Sequence, residues 1–297
     1  MIFKSSNLAI IIPTSGSKSI YSTYRSILRQ NNFPAQIIIV TNRKIKNKFN
    51  KKTKVVYSKI KNQVYQRTLA LKYLNPNISL LLFLDDKVLL EKNCIKNLIL
   101  KWNLVSSQTA GIGLSCINYK VPKSNFFHFI TGTNSKNKGK VLKNGFVTGY
   151  GNLKKDLGVE WLNGGMTSWN LSKVKKSLLN RNFPKISWSV GEDLIFSYNI
   201  SKKYNLIVSC KSKCKILNNK DSSNFFDSLK KGFLHAYIIN SFVDQNPKTL
   251  SKLFFYYSIL SSSMIGILYG IISFKKNTIS KFTGRLLGSF FKFKKIS

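Results

Sequence analysis

The sequence predicts an α/β fold built around a mainly parallel sheet. Continuous apolar runs occur at 8–12 (LAIII), 37–40 (IIIV) and 78–84 (ISLLLFL), and helix-like stretches at 19–31 and 64–74 separate them. Such runs are typical of strands buried on both faces, and their alternation with helices is typical of a parallel sheet covered by helices. With 297 residues, 43% of them hydrophobic, the chain can bury a core of this kind.

The alternation continues through the first two thirds of the chain. Further helices are predicted at 93–104, 171–180 and 192–203, and further strands at 111–117 and 206–210. The stretch 131–158 is rich in Gly, Asn, Lys and Thr, so it is predicted to be a long loop or an irregular β insertion. Loops of that length in compact domains are often functional.

The net charge of +39, from 49 basic and 10 acidic residues, is a weak guide to function. It would suit a nucleic-acid binder, which is the alternative class of protein for this sequence. Few of the bases are arginine, however, the residue whose planar fork grips phosphates bidentately. Lys, Asn, Ile and Phe also share A/T-rich codons, so we attribute most of the charge to composition and expect no nucleic-acid partner.

The cysteines indicate neither a metal centre nor a disulfide framework. Cys94, Cys116, Cys210 and Cys214 form no CxxC pair, and both histidines lie far from Cys210 and Cys214 in the sequence. A structural zinc site is therefore not expected, and the length of the chain argues against disulfides as its main support. We expect reduced thiols in a cytoplasmic setting.

Four of the ten acids form two adjacent pairs, Asp85-Asp86 and Glu192-Asp193. The first pair directly follows a predicted buried strand, and open α/β sheets bind ligands at that carboxyl edge. Neighbouring carboxylates suit Mg²⁺ or Mn²⁺ bridging to a diphosphate, and the alternative is a solvated turn. The second pair opens a predicted helix, where the helix dipole by itself favours negative charge.

Three segments, taken in order, resemble the family 2 glycosyltransferases with a GT-A fold. They are NQVYQRTLALKYLNPNISLLLFLDDKVLL, VEWLNGGMTSWN and WSVGEDLIFSYNISKKYNL, and the opening LAIIIPTSGS is similar to the family's first strand and turn. The resemblance covers roughly residues 7–210. It implies a mixed, mainly parallel sheet flanked by helices, and an enzyme that moves a sugar from a nucleotide-diphosphate donor to an acceptor hydroxyl with inversion.

The resemblance also implies a donor site. The family's Asp-rich motif falls on Asp85, Asp86 and Lys87; its first acid contacts the nucleotide and its last holds the metal. Lysine at the last position leaves two alternatives: Asp86, with Asp85, ligates Mn²⁺ or Mg²⁺, or the Lys87 ammonium replaces part of the metal's charge. The other implied donor-binding residues are Pro13, Thr14, Thr41, Asn42, Gln66 and Arg67. The family often has an acid where Thr41 and Asn42 stand, so the nucleotide stays open, and the alternative for Arg67 is a surface charge.

Catalysis is assigned by the resemblance to the second acid pair. Asp193 matches the general base, which takes the proton of the acceptor hydroxyl and must lie within about 3 Å of it. Glu192 would orient the acceptor or the helix start. The implied residues of the loop where acceptor and donor sugar meet are Trp161, Gly164, Gly165, Met166 and Trp188. The alternatives are a plain turn at the two glycines and a core position for Trp188.

The sequence after residue 224 predicts a helical, membrane-associated region, so the chain divides into a transferase domain at 1-224 and a C-terminal region at 225-297. Residues 225–243 fit an amphipathic helix, and the uncharged run 253–274 is long enough as a helix to span a bilayer. Lysines flank both ends of that run, so a simple span would carry one basic flank across the membrane. Its small residues recur at helical spacing and would let another helix approach closely: Ser258, Ser262, Gly266, Gly270 and Ser273.

A basic amphipathic stretch follows, with Ile279, Phe282, Leu286, Phe290 and Phe293 on one face. We therefore expect a monotopic or peripheral anchor on the cytoplasmic face of the inner membrane, held by anionic lipid. A single span and ordinary soluble packing are the alternatives. This placement suits a lipid-linked glycan acceptor in the synthesis of a bacterial surface polysaccharide. A degenerate transferase fold that serves as a scaffold remains a further alternative.

Overall fold

The computed structural model describes residues 2–45, 49–121, 124–179, 191–217 and 224–291. The chain divides into two compact units. The first unit comprises Met1–Val121 and Tyr150–Asn218, and the second unit comprises Pro122–Gly149 and Asn219–Ser297. The stretch between the two parts of the first unit thus groups with the C-terminal helices, whereas the sequence-based division placed it in the first domain. As a boundary between folding domains, residue 224 stays a prediction.

The first unit is built on one mixed sheet of nine described strands. In chain order these are β1 Leu8–Thr14, β2 Gln36–Thr41, β3 Thr53–Tyr57, β4 Leu80–Leu84, β5 Val88–Leu90, β6 Thr109–Cys116, β7 Leu157–Val159, β8 Met166–Asn170 and β9 Asn205–Ile216. Their order across the sheet is β3-β2-β1-β4-β8-β6-β9-β5, with β7 also paired to β9. Strands β3, β2, β1 and β4 are parallel, and β8 is antiparallel to both of its neighbours. The carboxyl ends of four strands therefore meet at one edge.

Helices cover both faces of this sheet, as the continuous apolar runs predict. The described helices of the chain are α1 Ser19–Leu28, α2 Gln63–Leu71, α3 Cys94–Leu104, α4 Phe126–Thr131, α5 Leu171–Leu179, α6 Glu192–Ser201, α7 Phe225–Asp244, α8 Lys252–Ile272 and α9 Lys276–Phe290. Successive strand residues point to opposite faces, so Ile10 and Ile12 pack with α1 and α3. Ala9 and Ile11 pack with α2, α5 and α6 on the other face. Both sets are fully buried, which is why the strand has no polar alternation.

The predicted helices and the central strands of the first unit are confirmed to within a few residues. The sequence does not predict β3, β5, β7 or β8 in the first unit, nor α4 in the second. Strand β8, with the sequence MTSWN, is missed because its buried face includes polar residues. One of them, Ser168, accepts a hydrogen bond from the indole nitrogen of Trp102 (3.0 Å), so its burial is compensated. The stretch 131–158 is largely irregular, as predicted, with an isolated bridge between Val141 and Val147.

The second unit contains α4 and α7 to α9. Three of these helices begin with side-chain caps: Asn125 caps α4, Asn224 accepts from the backbone N–H of Asp227 (2.8 Å) at the start of α7, and Ser251 caps α8. Helix α9 packs on α8, where a Cβ on Gly266 would overlap the ring of Phe282 and one on Gly270 would lie 2.6 Å from Ile279. The expectation that the small residues of α8 admit another helix is confirmed. Part of the predicted apolar face of α9 is therefore used in packing.

Helix α8 is the one described helix that is long and apolar enough to cross a membrane. Its outward side chains are large and apolar, each between 45% and 77% exposed: Leu253, Phe254, Tyr257, Leu260, Met264, Leu268 and Ile272. Helix α4 adds Phe126, Phe127 and Phe129, and the Tyr257 hydroxyl ties α8 to α4 by donating to the Ile130 carbonyl (2.8 Å). We call these residues of α4 and α8 the apolar face.

Candidate active site

Thr14 and Asp86 meet at the carboxyl ends of the parallel strands β1 and β4. The hydroxyls of Thr14 (2.6 Å) and Ser17 (2.8 Å) both donate to Oδ2 of Asp86. The Thr23 hydroxyl donates to the backbone carbonyl of Asp86 (2.9 Å). The first acid pair therefore lies where the sequence predicts, at the edge where α/β sheets bind ligands.

Arg67, on α2, joins the two acid pairs. Its Nη2 donates to Oδ1 of Asp85 (2.9 Å), and its Nη1 donates to Oε1 of Glu192 (2.5 Å). The side chains of Arg67 and Glu192 are only 3% and 5% exposed, and that of Asp85 is 34% exposed. The guanidinium also lies over the ring of Phe83, 5.4 Å from its centroid. The alternative of a surface charge is wrong for Arg67.

The environment of Arg67 keeps it charged. Burial alone would lower the pKa of Arg67, but the carboxylates of Glu192, Asp85 and Asp193 raise it above its ordinary value. Three carboxylates thus act on this one guanidinium. Among the described contacts of Arg67, negative charge therefore exceeds positive charge.

The loop between β7 and β8 holds Asp193 through its backbone. The N–H of Gly164 donates to Oδ2 of Asp193 (2.9 Å). A Cβ on Gly164 would lie 2.8 Å from Nη1 of Arg67 and 2.9 Å from Cβ of Asp193, and one on Gly165 would overlap the carboxylate of Asp85. Close approach of the backbone to charged side chains, rather than a plain turn, therefore requires glycine at both positions.

The remaining residues assigned to the donor are found at the ends of β1 and β2 and at the start of α2: Pro13, Thr41, Asn42 and Gln66. The hydroxyl of Thr41 closes a turn by donating to the carbonyl of Arg43 (2.9 Å), and Gln66 Nε2 donates to the carbonyl of Thr14 (3.3 Å). Oδ1 of Asn42 is buried and has no hydrogen-bond partner in the described part of the chain. An atom of that kind normally pairs with water or a ligand.

Two assigned residues, Met166 and Lys87, have no described side-chain contact with the cluster, and a third is not among the described residues. Met166 begins β8, and its side chain is buried with Sδ 3.4 Å from Sγ of Cys214, so it packs in the core. Lys87 is half-buried, and its backbone carbonyl accepts from the N–H of Leu217 (2.7 Å). Trp188 lies outside the described residues. The roles assigned to all three stay predictions.

Sequence reasoning misses the residues that shape the glycine loop. The N–H of Asn163 donates to the Tyr150 hydroxyl (2.7 Å), and Oδ1 of Asn163 accepts from the N–H of Gly165 (3.1 Å). The Tyr150 ring lies 5.1 Å from that of Trp161, and burial raises the pKa of Tyr150. Asn before two glycines is a turn signal that points to Asn163. Tyr150 lies in the irregular stretch, where a single tyrosine gives no signal.

The carboxylates fit a divalent cation only if a substrate completes its coordination. Within the described ranges, no three His, Cys, Asp or Glu side chains come together as metal ligands. Asp85 shares Oδ1 with Arg67, and both hydroxyls that reach Asp86 bind its Oδ2, which leaves its Oδ1 to other ligands. Mg²⁺ is commonly held by one or two carboxylates together with substrate phosphates and water. The residues therefore fit a cation that is shared with a diphosphate, with Asp86 as its main protein ligand.

The first unit has the GT-A fold of nucleotide-diphospho-sugar transferases, and its neighbours among solved structures are GT-A glycosyltransferases. GalNAc-T7, solved with UDP, GalNAc and Mn²⁺, matches 90% of this chain at a TM-score of 0.55 and 13% sequence identity, and the match spans 57% of that chain. TarS 1-349 of S. aureus matches 94% of this chain and 90% of its own length at a TM-score of 0.50 and 13% identity, with the same values for its complex with UDP. No protein-family model and no curated protein matches the sequence.

Proposed function

We propose that the first unit is an inverting glycosyltransferase of the family 2 type, which transfers a sugar from a nucleotide-diphosphate donor to a hydroxyl of a glycan acceptor. The observation that carries the proposal is the placement of Asp193. Its carboxylate is fixed by the N–H of Gly164, in one cluster with Arg67 and Asp85 at the carboxyl edge of the sheet. The UDP in the structures of two proteins that share the fold supports a nucleotide sugar as donor.

The general base in this proposal is Asp193. The acceptor oxygen attacks the anomeric carbon while the bond from that carbon to the diphosphate breaks, and the hydroxyl proton passes to the Asp193 carboxylate. Backbone N–H groups of Gly164 and Leu194 donate to its two oxygens, which fixes the orientation of the carboxylate, as a positioned base requires. Glu192 positions rather than reacts in this scheme, because its carboxylate is buried against Arg67.

The leaving diphosphate requires positive charge, since the cluster around Arg67 is already negative. Asp86, with Asp85, would hold a divalent cation that supplies this charge when bound. Lys87 follows directly and offers the alternative source. Activity after exhaustive chelation separates the two: loss of transfer that Mn²⁺ or Mg²⁺ restores supports the cation, and full retention supports the lysine.

The test of the proposal is a donor-hydrolysis and transfer screen over nucleotide sugars, followed by Asp193→Asn. We expect the variant to lose turnover by about 10²–10⁴-fold, the contribution of a general base, while donor affinity stays near that of the wild type. Asp244→Asn, the same change on the second unit, is the control and should keep full turnover. Equal loss of affinity and turnover in Asp193→Asn would sink the assignment, and donor binding without turnover in the wild type would favour a scaffold.

The proposal extends to a lipid-linked acceptor at the cytoplasmic face of the inner membrane, in the synthesis of a bacterial surface polysaccharide. The apolar face of α4 and α8 supports it, because exposed aromatic and aliphatic side chains in one patch are typical of a membrane-contacting surface. Lysines across the chain would add attraction to anionic lipid, about 1 kcal/mol for each one near the surface.

Carbonate extraction of membranes from cells that express the full chain tests this placement. Release of the chain by carbonate indicates peripheral association, and retention indicates insertion of α8. Chain found only in the soluble fraction before extraction would contradict membrane association. Phe126→Ser-Phe129→Ser, on the apolar face outside α8, should raise the released fraction, since it removes two side chains that are 71% and 81% exposed.

A further inference from the structure

Helices α7 and α9 of the second unit cross in backbone contact. A Cβ on Gly232 would overlap the carbonyl of Lys281, and a Cβ on Gly284 would overlap the carbonyl of Leu229. The backbone nitrogen of Arg285 lies 3.1 Å from the position that a Cβ on Gly232 would take. At so short a separation, side chains that flank the glycines on the two helices are brought close together.

The flanking side chains at this crossing are basic. His235 stands on α7, and Lys281 and Arg285 stand one turn apart on α9, close enough for both cations to act on the imidazole. We call these three residues the basic cluster. Nδ1 of His235 and Nε of Arg285 are shielded from solvent, and neither has a hydrogen-bond partner among the residues described. Two polar atoms are therefore buried at one spot with nothing in the described chain to satisfy them.

The charge in the basic cluster also lacks a described counter-charge. Burial lowers the pKa of Arg285 to about 10, and burial, Arg285 and Lys281 together lower that of His235 well below its ordinary value. Burial, Arg285 and Lys231 likewise lower the pKa of Lys281. No carboxylate within the described residues offsets these shifts. The shielded Nε of Arg285 and Nδ1 of His235 are thus half-buried polar groups beside uncompensated positive charge, and an anion bound here would satisfy both.

We propose that the basic cluster is a binding site for a phosphate group, held by Arg285 with Lys281 and the Nδ1 of His235. Guanidinium and ammonium groups pair with phosphate through short, charge-assisted hydrogen bonds, and Arg285 would donate from Nε, which has no other described partner. The phosphate is either free in solution or the head group of a lipid, because exposed aromatic side chains such as Phe226 and Phe290 belong to the same two helices. The site does not depend on the proposed sugar transfer.

The experiment measures binding and thermal stability of the full chain with two kinds of probe. The soluble probes are inorganic phosphate and pyrophosphate, against chloride at equal ionic strength. The lipid probes are phosphatidylcholine vesicles doped with phosphatidic acid, against vesicles doped with oleic acid to the same surface charge. We expect a phosphate probe to raise the Tm of the wild type and chloride or oleic acid to do so much less.

Arg285→Gln is the decisive variant, and Lys276→Gln is its matched control, since it removes one exposed positive charge from the same helix. We expect Arg285→Gln to weaken phosphate binding at least about tenfold, the effect of losing a charge-assisted hydrogen bond, and Lys276→Gln to weaken it less than about twofold. His235→Gln should weaken it by an intermediate factor. In phosphate-free buffer Arg285→Gln should fold at least as stably as the wild type, because it removes an uncompensated charge.

The outcomes divide cleanly. Dependence on Arg285 with the soluble probes assigns a free phosphate, and dependence with phosphatidic acid alone assigns a lipid head group; both support the site. Equal weakening by Arg285→Gln and Lys276→Gln would show only diffuse attraction to +39 units of charge and would overturn it. A loss of stability in Arg285→Gln without phosphate that Asp221→Asn reproduces would assign the counter-charge to a carboxylate of the chain, and would also overturn it.

Discussion

Arg67 and Arg285, in different units, each have an Nε that is shielded from water, but the groups around them are of opposite charge. Arg67 lies between the carboxylates of Asp85 and Glu192, at 2.9 and 2.5 Å, and these charges raise its pKa in spite of burial. Arg285 has other basic groups around it and no described carboxylate, and burial lowers its pKa. The first unit therefore supplies the counter-charge for Arg67 from its own side chains, whereas the described part of the second unit supplies none for Arg285.

The scarcity of acids makes this difference informative. A chain with 10 acids and 49 bases has few carboxylates to place, yet three of the ten act on Arg67. Such concentration is unfavourable by like-charge repulsion unless cations compensate it, so the site is built to receive positive charge together with its substrate. The basic cluster is built to receive negative charge. Both expectations follow from the charges that have no counter-charge among the described contacts, which are negative near Arg67 and positive in the basic cluster.

The comparison predicts its largest effect for Arg67→Met. The substitution leaves Asp85 and Glu192 without their cation, and Glu192 is nearly inaccessible to water, so the free energy of unfolding of the first unit should fall by about 3–5 kcal/mol. Urea denaturation of the full chain measures it. Arg285→Met, matched in chemistry, should cost less than about 1 kcal/mol or stabilise the second unit.

Equal losses in the two methionine variants would break the comparison, because they would mean that both cations are compensated to the same degree. Arg67→Met combined with Glu192→Gln sharpens it. Removing the Glu192 charge as well should recover part of the stability. A double variant no more stable than the single one would show that the loss does not come from the Glu192 charge.

A smaller effect is expected from glycine substitutions in the two units. In Gly284→Ala the new Cβ meets the carbonyl of Leu229, which is backbone, so α7 and α9 must separate, at a cost of about 1–3 kcal/mol. In Gly165→Ala the Cβ meets the Asp85 carboxylate, which can rotate away, so we expect a loss of about 1 kcal/mol. Thermal unfolding measures both, and affinity for the nucleotide sugar identified in the donor screen should fall only in Gly165→Ala. The reverse order of stabilities would show that α7 and α9 can separate more easily than Asp85 can move.

The sequence predicts more of the fold than of the candidate site, and the reason is physical. Runs such as 8–12 and 78–84 lie on strands buried on both faces, so their composition alone identifies them, and the acids that follow the second run fall at the sheet edge. The pairing of Arg67 with Glu192 depends on α2 and α6 covering the same face of the sheet, which neither local sequence contains. The basic cluster is similar, because its residues meet only where Gly232 and Gly284 let α7 and α9 touch.

The smallest effect is expected from Asp244→Asn. This substitution also removes a pair between a basic and an acidic side chain, as at Arg67, but at an exposed position. Lys252 and Asp244 lie 2.5 Å apart, but their side chains are 35% and 48% exposed, so water already solvates both charges. Lys252 keeps its hydrogen bond to Oδ1 of Asn240 and its contact with the Tyr256 ring, 5.6 Å from the centroid. The loss should be about 0.2–1 kcal/mol and should shrink further in high salt. A double-mutant cycle with Lys252→Met measures the pair, and a coupling as large as that of Arg67 with Glu192 would mean that burial is not what separates the two ion pairs.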